Sequence, residues 1–349
     1  MHAITFAEVE TLNVERVPDP GIVDEGDAIV QVEVAGICGS DLHPYRGLEV
    51  GLDRGTVMGH EFTGRVVEVG RAVRAFTVGD HVVAPFTTSC GSCWACTSGL
   101  TSRCIRGELF GWVERGEGLH GAQAELVRVP LADTTLVAIP ETITDAAVAL
   151  LAGDVLSTAL FGVEMAGVRA GDTVAVIGCG PVGLLAVRAA LARGAREVLA
   201  LDTVASRLDI AGRFGAVPVS IATTDPIGFA RERTGGRGMD RVIEAVGSPQ
   251  ATRTAADIVR TGGTIAAVGV HTEAGFALSP GDIYDRNLTY AAGRCPARRM
   301  LPAALAMAQH DEPLLALLIS HRLPLADGVD AYRRLAAREE GWAKVVLTP

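Results

Sequence analysis

The sequence predicts an α/β protein in which a β-rich domain precedes a doubly wound parallel sheet. Residues 1 to about 140 contain many short apolar segments separated by glycine, proline and aspartate, which is typical of an irregular all-β domain. From residue 144 onward, apolar residues recur at helical spacing, and predicted strands then alternate with predicted helices. Such alternation indicates a parallel sheet with helices on both faces. With 349 residues, the chain is long enough for two domains with separate cores.

Six parallel strands are expected in the second domain, with a helix at 181–193 after the first of them. The predicted strands are 173–177, 197–202, 217–219, 240–245, 263–268 and 287–291. After residue 294 the pattern is helical and ends in a strand at 342–347, which we expect to return to the first domain. The predicted organisation is a first domain at 1–154 with a cysteine-rich lobe at about 88–106, a second domain at 155–293, and a C-terminal segment at 294–349.

Charge and apolar patterning exclude several classes of function. The net charge of −10 and the lack of any lysine and arginine run argue against a nucleic-acid-binding surface. The first residues do not form a basic segment followed by an apolar stretch, and Asp154 interrupts the longest apolar run. We therefore expect a cytoplasmic protein with no nucleic-acid or membrane partner. Four of the seven cysteines are clustered, which in that compartment favours metal binding over disulfides.

A candidate catalytic metal site comprises Cys38 and the adjacent pair His60 and Glu61. Cys38 follows one predicted strand, and the pair precedes the next. A thiolate, an imidazole and a carboxylate are ligands of catalytic zinc sites, which keep one coordination position open. Ser40 and His43 lie beside Cys38 in the sequence and are able to move a proton. A buried free cysteine and a core histidine are the alternative, but the co-occurrence of these groups favours a metal.

Asp154 is an acid in an otherwise apolar segment with helical spacing. Burial of a carboxylate is costly unless the group is paired or bound to a metal. Because the site above lacks a third protein ligand, we interpret Asp154 as that ligand. The other interpretation is a helix N-cap for the segment from Leu156 onward, and one side chain can serve both roles.

Four closely spaced cysteines indicate a second metal site. Two residues separate each of the first three, and seven more precede the fourth, which gives Cys90, Cys93, Cys96 and Cys104. Four thiolates on a tight loop close a tetrahedron around one zinc ion and leave no open position, as in structural sites. Disulfides at this spacing would form strained rings. A nucleic-acid contact is disfavoured because only Arg103 and Arg106 flank the loop.

The second domain opens with a dinucleotide-binding fingerprint. A glycine-rich turn follows the first strand of the predicted sheet and opens a helix, and the next strand ends in Asp202. The turn contains Gly178, Gly180, Pro181, Val182 and Gly183. The glycines allow the backbone to approach a pyrophosphate at the helix N-terminus, and the acid accepts hydrogen bonds from ribose hydroxyls. A helix-capping turn in an α/β domain of another function is the alternative.

These motifs resemble those of the zinc-dependent medium-chain alcohol dehydrogenases along nearly the whole chain. The resemblance implies a GroES-like catalytic domain and a Rossmann domain. It also implies a catalytic zinc on Cys38, His60 and Asp154, with Glu61 as a neighbouring acid that can approach the metal. The four clustered cysteines match the family's structural zinc lobe, so that two zinc ions per chain are expected.

The resemblance assigns further residues to the proton relay, the substrate and the cofactor. Ser40 and His43 match the relay, and Trp112 is placed on the substrate side of the zinc together with Ser40. Asp202 is expected to favour NAD over NADP because its charge repels a 2′-phosphate. The other residues expected at the cofactor are Thr158, Arg207, Val246, Val268, Gly269, Val270 and Arg294.

The implied activity is reversible oxidation of an alcohol by hydride transfer to NAD, in a homodimer or homotetramer. A secondary alcohol is the first substrate expected, because the indole of Trp112 offers apolar contact area. A polyol or a 3-hydroxy amino acid is the next, and Trp112 packing only on the domain surface is the alternative role for that residue. Two interpretations without alcohol turnover remain, namely a metal-free reductase or binding protein on this scaffold and a zinc-bearing protein that senses NAD and NADH.

Overall fold

A computed structural model describes residues 1–349, which divide into two compact units. The first unit combines Met1–Ser157 with Pro296–Pro349, and the second is Thr158–Cys295. The chain thus leaves the first unit and later returns to it. The observed boundaries lie three and two residues beyond the positions 154 and 293 expected from the sequence.

Seventeen strands and twelve helices make up the two units. The strands are β1 His2–Glu8, β2 Thr11–Arg16, β3 Ala28–Ile37, β4 Phe62–Val69, β5 His81–Val83, β6 Trp112–Glu114, β7 Glu117–Leu119, β8 Leu126–Val129, β9 Val137–Ala138, β10 Thr173–Ile177, β11 Glu197–Asp202, β12 Val217–Ser220, β13 Met239–Glu244, β14 Val259–Ala267, β15 Thr289–Ala292, β16 Ile319–Pro324 and β17 Lys344–Thr348. The helices are α1 Leu42–Tyr45, α2 Trp94–Thr97, α3 Ala132–Thr135, α4 Ala146–Gly153, α5 Val155–Ala166, α6 Pro181–Ala192, α7 Ala205–Arg213, α8 Pro226–Arg233, α9 Pro249–Ile258, α10 Pro280–Tyr284, α11 Ala297–Leu315 and α12 Gly328–Ala336.

A seven-stranded sheet forms the frame of the first unit, in the order β16-β17-β3-β4-β5-β9 with β8 also paired to β3. The central strand β3 pairs antiparallel with β4, β8 and β17. Val345 of β17 lies opposite Ile37, the last residue of β3. Because Cys38 follows Ile37, the C-terminal strand lies against the segment that carries a candidate metal ligand.

Two large buried apolar clusters stabilise the first unit. One lies within the sheet and includes Phe62, Val66 and Phe110. The other joins the N-terminal strands, β3 and the C-terminal segment through residues such as Ile4 and Tyr332. Removal of this apolar surface from water is the main force that returns residues 296–349 to the first unit.

Six parallel strands form the sheet of the second unit, in the order β12-β11-β10-β13-β14-β15. This confirms the doubly wound parallel sheet predicted from the alternating pattern. The strand order changes direction between β10 and β13, and ligands of such sheets bind at the carboxyl ends of the strands there. All five residues of β10 are buried, which explains the continuous apolar sequence of that strand.

β14 begins at Val259, earlier than the expected start at residue 263. The intervening Gly262 and Gly263 have low strand propensity, so the sequence hides the extension. Pairing with β13 stabilises the additional strand residues, since Val259 lies opposite Met239 before the register shifts. Tertiary pairing here overrides local propensity.

The apolar segment after residue 145 forms two helices with a break between them. Asp154 separates α4 from α5 with φ −139° and ψ −79°, outside the helical region. The two helices are bent by 44° relative to each other. No single helix is long and apolar enough to cross a membrane. The bent pair of α4 and α5 taken together has the length and the composition of a membrane span, and nothing more than length and composition indicates one.

Candidate metal centres and cofactor site

Cys38, His60 and Asp154 converge in the first unit from three separate elements. Their ligand atoms all lie within 4.8 Å of one another. Asp154 Oδ2 is 3.4 Å from Cys38 Sγ and 3.4 Å from His60 Nε2. Tetrahedral ligands about 2.0 to 2.3 Å from a zinc ion lie roughly 3.5 Å apart, so both the donor types and these separations fit zinc. Three protein ligands leave the fourth position open.

Local structure explains how each of these ligands is presented. Cys38 caps the short 3₁₀ turn Gly39–Asp41 immediately after β3, and His60 lies two residues before β4. Asp154 occupies the non-helical break between α4 and α5, where its side chain is buried. A break in a buried helix leaves backbone N–H and C=O groups without the hydrogen bonds of a continuous helix, which is energetically costly. Such a cost is typical of functional positions, and a role for Asp154 as a metal ligand accounts for it.

A chain of buried polar side chains extends outward from His60. His60 Nδ1 is 3.0 Å from Asp41 Oδ1, and the other oxygen of Asp41 accepts a 2.9 Å hydrogen bond from the Cys38 backbone N–H. Gln123 donates to the same oxygen at 3.4 Å and accepts a 2.9 Å hydrogen bond from the Tyr332 hydroxyl. Because Asp41 engages Nδ1, the Nε2 lone pair of His60 is directed toward Cys38 and Asp154.

Burial and nearby carboxylates change the pKa values of two candidate ligands, Cys38 and His60. Burial raises the pKa of the Cys38 thiol, and the nearby charge of Asp154 raises it further. Burial opposes the charged form of His60, but the carboxylates of Asp41 and Asp154 outweigh it and hold the pKa of His60 well above its usual range. A cation at this site must therefore displace protons, because thiolate and neutral imidazole are the metal-binding forms.

Ser40 and His43, the expected relay residues, lie on the segment after Cys38. Ser40 Oγ is 3.4 Å from His60 Nε2, so the structure brings Ser40 to the ligand cluster. His43 belongs to α1, and its Nδ1 atom is buried without a hydrogen-bond partner. Burial lowers the pKa of His43, which favours the neutral ring that a proton acceptor requires.

Trp112 begins the hairpin formed by β6 and β7. The preceding Gly111 has φ +74°, and a Cβ added there would lie 3.0 Å from the Gly59 backbone nitrogen. The start of the hairpin therefore packs directly on the turn that carries His60, at a distance that only glycine permits. This contact places Trp112, which is partly buried, beside the segment of the metal ligand.

Glu61 lies outside the ligand group of Cys38, His60 and Asp154. It is completely buried and forms an ion pair with Lys344 of β17. The sequence predicts that Glu61 lies at the metal site. It carries no signal for the ion pair with Lys344, which lies 283 residues away.

The second cysteine cluster brings together the ligand atoms of Cys90, Cys93, Cys96 and Cys104 within 4.8 Å. All are free thiols, so no disulfide joins them. Backbone N–H groups point at the sulfurs, for example from Cys93 to Cys90 at 3.4 Å and from Cys90 to Cys104 at 3.2 Å. The backbone N–H of Ser92 leads the contacts that lower the pKa of Cys90 to about 5. Burial raises the pKa of Cys96 to about 12, so zinc binding must displace a proton there. Four converging sulfur ligands of this kind fit a closed, structural zinc site.

The glycine-rich turn of the second unit connects β10 to α6. Gly180 is the N-cap of α6 and Pro181 its first residue, a favourable arrangement because proline lacks the N–H that this position leaves unpaired. A Cβ on Gly183 would overlap the carbonyl oxygen of Gly178, so only glycine allows the helix to approach the strand this closely. Val182 lies in the same first turn of α6. The helix N-terminus is thus available to an anionic group.

Asp202 lies at the end of β11, beside this turn. Its carboxylate accepts hydrogen bonds from the backbone N–H groups of Cys179 at 2.6 Å, Thr203 at 2.7 Å and Val204 at 2.9 Å. The Arg207 guanidinium is 3.9 Å from the same side chain. Asp202 therefore fixes the turn and still carries the negative charge at its edge.

Four of the other expected cofactor residues lie just after β13 and β14. Val246 and Val270 are 49% and 45% exposed, unusually high for valines beside a buried sheet. The buried Glu244 accepts hydrogen bonds from the backbone N–H groups of Val246 and Gly247, and its second oxygen is 3.2 Å from His271 Nε2. Val268 and Gly269 continue the chain from β14, whereas Thr158 lies in α5 and Arg294 is exposed after β15.

Comparison with known proteins agrees with this geometry. Residues 24–141 match the alcohol dehydrogenase GroES-like domain, and residues 181–310 match the zinc-binding dehydrogenase domain. Zinc-type alcohol dehydrogenase B of Aspergillus flavus is 42% identical over 341 residues, which cover 95% of this chain and 78% of that protein. The chain belongs to the zinc-dependent medium-chain alcohol dehydrogenase family. It is therefore a zinc-dependent oxidoreductase, as the resemblance predicted.

Solved structures of this dehydrogenase family extend the likeness over the full length. Alcohol dehydrogenase TADH from Thermus sp. ATN1 is 37% identical with a TM-score of 0.94, and the match covers 100% of this chain and 99% of that one. A zinc-binding dehydrogenase from Sinorhizobium meliloti 1021, bound to NADP, is 30% identical with a TM-score of 0.85 and the same coverage. The predicted GroES-like and Rossmann architecture is thereby confirmed.

Sequence reasoning missed several buried residues around the dehydrogenase sites. Asp41 carried a usable signal, since a carboxylate three residues after a candidate cysteine ligand lies within reach of the same turn. Glu244 accepts from backbone N–H groups two and three residues further on. The others are Gln123, Tyr332 and Lys344, and each acts through contacts with distant segments that no local pattern reveals.

Proposed function

We propose that the protein interconverts a secondary alcohol and its ketone, using zinc at Cys38, His60 and Asp154 and NAD at the second unit. The observation that carries the proposal is the open set of three ligands with Ser40 beside it. A closed set of four ligands would support folding only, whereas three leave room for a substrate oxygen.

The zinc ion supplies Lewis acidity that lowers the pKa of an alcohol hydroxyl, and NAD supplies the hydride acceptor. The protein side chains provide the remaining steps. Ser40 accepts the hydroxyl proton and passes it toward His43, whose buried Nδ1 atom has no other partner. Cys38 and Asp154 each bring a negative charge, which offsets the charge of the ion and keeps the substrate oxygen loosely held.

Selection of NAD over NADP rests on Asp202. Its charge lies at the edge of the glycine-rich turn and is held there by three backbone N–H groups, so the carboxylate cannot easily turn away from a 2′-phosphate. Arg207, 3.9 Å away, offsets part of that charge. The NADP-bound relative from Sinorhizobium meliloti supports a nicotinamide cofactor for this chain.

A secondary alcohol is favoured over a polyol because of the surroundings of the ligand cluster. Trp112 adjoins the turn of His60, and the Phe86 ring packs edge-on against the His60 ring with 6.3 Å between their centroids. A polyol site requires several converging polar groups, since buried hydroxyls without partners are costly. We further propose that the four-cysteine cluster holds a second, structural zinc ion.

Kinetics with 2-butanol, sorbitol and threonine test the proposal. We expect zinc-dependent formation of NADH, with the highest kcat/KM for 2-butanol, and loss of turnover in Cys38→Ser. Trp112→Ala should lower kcat/KM for 2-butanol, whereas Trp94→Ala, a matched change at a 66% exposed indole, should not. A kcat/KM for either polar substrate about tenfold above that for 2-butanol, or about 1.4 kcal/mol, would overturn the substrate assignment. Zinc binding without NADH formation from any alcohol would instead favour an NAD(H)-sensing protein.

A further inference from the structure

A cavity of about 300 Å³ lies in the first unit between the cysteine-rich lobe, α3 and the first turn of α11. Ligand pockets in proteins begin at about this volume. Gly91 and Gly99 of the lobe line the cavity, and a Cβ added to them would lie 3.1 Å from the side chains of Thr134 and Arg299, respectively. The lobe thus packs closely on α3 and α11 at these glycines and leaves a space beside them. The proposed alcohol chemistry does not use this space.

Arg298 brings a positive charge without a counter-ion to the cavity wall. Its side chain is partly buried and forms no ion pair, and its Nε donates a 3.0 Å hydrogen bond to the carbonyl oxygen of Thr134. Burial lowers the pKa of Arg298, and no neighbouring acid offsets that effect. A partly buried cation in this state is costly, and the remaining N–H groups of the guanidinium are available to an anion.

Thr101 contributes a second group without a partner. Its Oγ1 atom is buried and makes no hydrogen bond, and the residue lines the same cavity. It begins the 3₁₀ turn Thr101–Arg103, which packs against α11. A buried hydroxyl without a partner costs folding free energy that a ligand acceptor recovers. Together with the guanidinium of Arg298, this hydroxyl fits a ligand with negatively charged oxygen atoms.

Arg299 and Asp133 also bring charges to the cavity wall. Arg299 lies in the first turn of α11, where the helix N-terminus further favours an anion. Asp133 is already satisfied, since Oδ2 accepts a 2.9 Å hydrogen bond from the Arg74 backbone N–H and Oδ1 accepts another at 2.9 Å from that of Ala75. Asp133 is thus not the partner of Arg298, and the two guanidinium groups outnumber the one carboxylate.

The four-cysteine cluster offers another explanation for these arginines, because Cys96 also lines the cavity. Zinc held by four thiolates carries a net negative charge that cations can offset. The sulfurs, however, accept hydrogen bonds from backbone N–H groups of the lobe, whereas Arg298 directs its Nε at the Thr134 carbonyl. Arg298 therefore does not act as a partner of the thiolates.

We propose that this cavity binds the oxyanion of a small organic molecule, a phosphate ester or a carboxylic acid, through Arg298 and the hydroxyl of Thr101. A guanidinium binds either group through two parallel N–H donors. The cavity also has room for the organic part of the molecule. The bound anion joins the cysteine-rich lobe to α11 and stabilises the first unit. This site is separate from the proposed reaction and does not depend on it.

Isothermal titration calorimetry of the zinc-loaded protein tests the proposal, with inorganic phosphate as the probe in a buffer free of phosphate and carboxylate. Arg298→Met should raise the Kd for phosphate at least about tenfold, because a hydrogen bond to a charged group is lost. Arg333→Met is the matched control, since it removes the same charge at a 72% exposed side chain of α12 and should leave the Kd unchanged.

Glycerol 3-phosphate and succinate distinguish the two sources of the oxyanion. Tighter binding of glycerol 3-phosphate assigns a phosphate ester to the site, and tighter binding of succinate assigns a carboxylic acid. In either case Arg298→Met should weaken binding of the preferred molecule. Lack of binding by all three probes would overturn the proposal.

Thr101→Val provides an independent test should Arg298→Met not fold. Without phosphate it should raise Tm, because it removes a buried hydroxyl that has no partner, and it should raise the Kd for phosphate about threefold to tenfold. A lower Tm would show that the hydroxyl is satisfied within the protein and would contradict the proposal. Phosphate binding that is unchanged in Arg298→Met would also overturn it, since the ion then binds elsewhere, for example at the glycine-rich turn, from which NADH should displace it.

Discussion

Tyr332 and Gln123 are 209 residues apart in the sequence, yet the Tyr332 hydroxyl donates a 2.9 Å hydrogen bond to the Gln123 side chain in the interior of the first unit. Gln123 in turn donates to the Gly36 carbonyl at 3.0 Å and to Asp41. The C-terminal helix α12 thus supports the residue that orients His60. The metal centre depends on a segment far from its ligands.

Removal of the Tyr332 hydroxyl should destabilise the fold more than it affects the metal. Tyr332→Phe leaves the Gln123 side-chain oxygen buried without a donor, at a cost of about 1–3 kcal/mol in the free energy of unfolding. Denaturant unfolding measures this difference. Tyr284→Phe is the control, since that side chain is 83% exposed and should change stability by less than about 0.5 kcal/mol. Equal stability of both variants would show that the buried chain contributes little.

Loss of the carboxylate of Asp41 should act on the metal directly. Asp41→Asn removes the charge that orients His60, and loss of such a partner of a metal-binding histidine lowers metal affinity about 10- to 100-fold. Competition with a zinc chelator measures the affinity. A similar loss in Tyr332→Phe would mean that the effect comes from general loosening of the unit.

Mutation should distinguish the two zinc sites, because each variant should lose a different ion. Elemental analysis of protein purified without chelator is expected to give two zinc ions per chain, because two complete ligand sets converge. Cys38→Ser should remove one ion and abolish turnover while the fold persists. Cys93→Ser should remove the other ion and lower Tm, since closed zinc sites contribute folding free energy. One ion in the wild type would eliminate one of the two sites.

Zinc affinity at the catalytic centre should fall as the pH is lowered. The pKa values of Cys38 and His60 are raised in the protein, so both groups are protonated below those values, and zinc must displace both protons. Where both are protonated, the affinity should drop by up to about 100-fold per pH unit. Chelator competition between about pH 6 and 8 measures the slope. A slope of zero would exclude these ligands.

The cofactor preference should depend on the charge of Asp202. Asp202→Asn keeps an acceptor for the backbone N–H groups and removes the charge, so the ratio of kcat/KM for NAD to that for NADP should fall about tenfold, or about 1.4 kcal/mol. Arg207→Ala is the control and should raise the ratio, since it removes a positive charge 3.9 Å from Asp202. Comparable kcat/KM for both cofactors in the wild type would contradict the assignment.

The sequence was sufficient for the features that depend on local pattern. Alternating strands and helices predicted the parallel sheet, and the spacing of Cys90, Cys93, Cys96 and Cys104 predicted a cluster that the structure brings together. Cys38, His60 and Asp154 also converge, although their sequence separation leaves the third ligand open between two roles. Their chemical types, rather than their spacing, identify them.

Other features depend on contacts between distant segments. The pairing of β17 with β3 places Lys344 beside Glu61, and no periodicity in either strand specifies that pair. The break at Asp154 is likewise not specified by the apolar pattern, which alone is compatible with one continuous helix. Long-range register, unlike local propensity, is determined by the assembled core.

The burial of Lys344 has a consequence for the chemistry of the protein surface. As the only lysine and 1% exposed, it leaves the folded chain with no lysine amine accessible to acylating reagents, cross-linkers or modifying enzymes. Apart from the amino group at Met1, an amine-directed label therefore attaches only when β17 separates from β3. The rate of that labelling therefore measures how often β17 separates from β3, the strand that leads into the ligand Cys38.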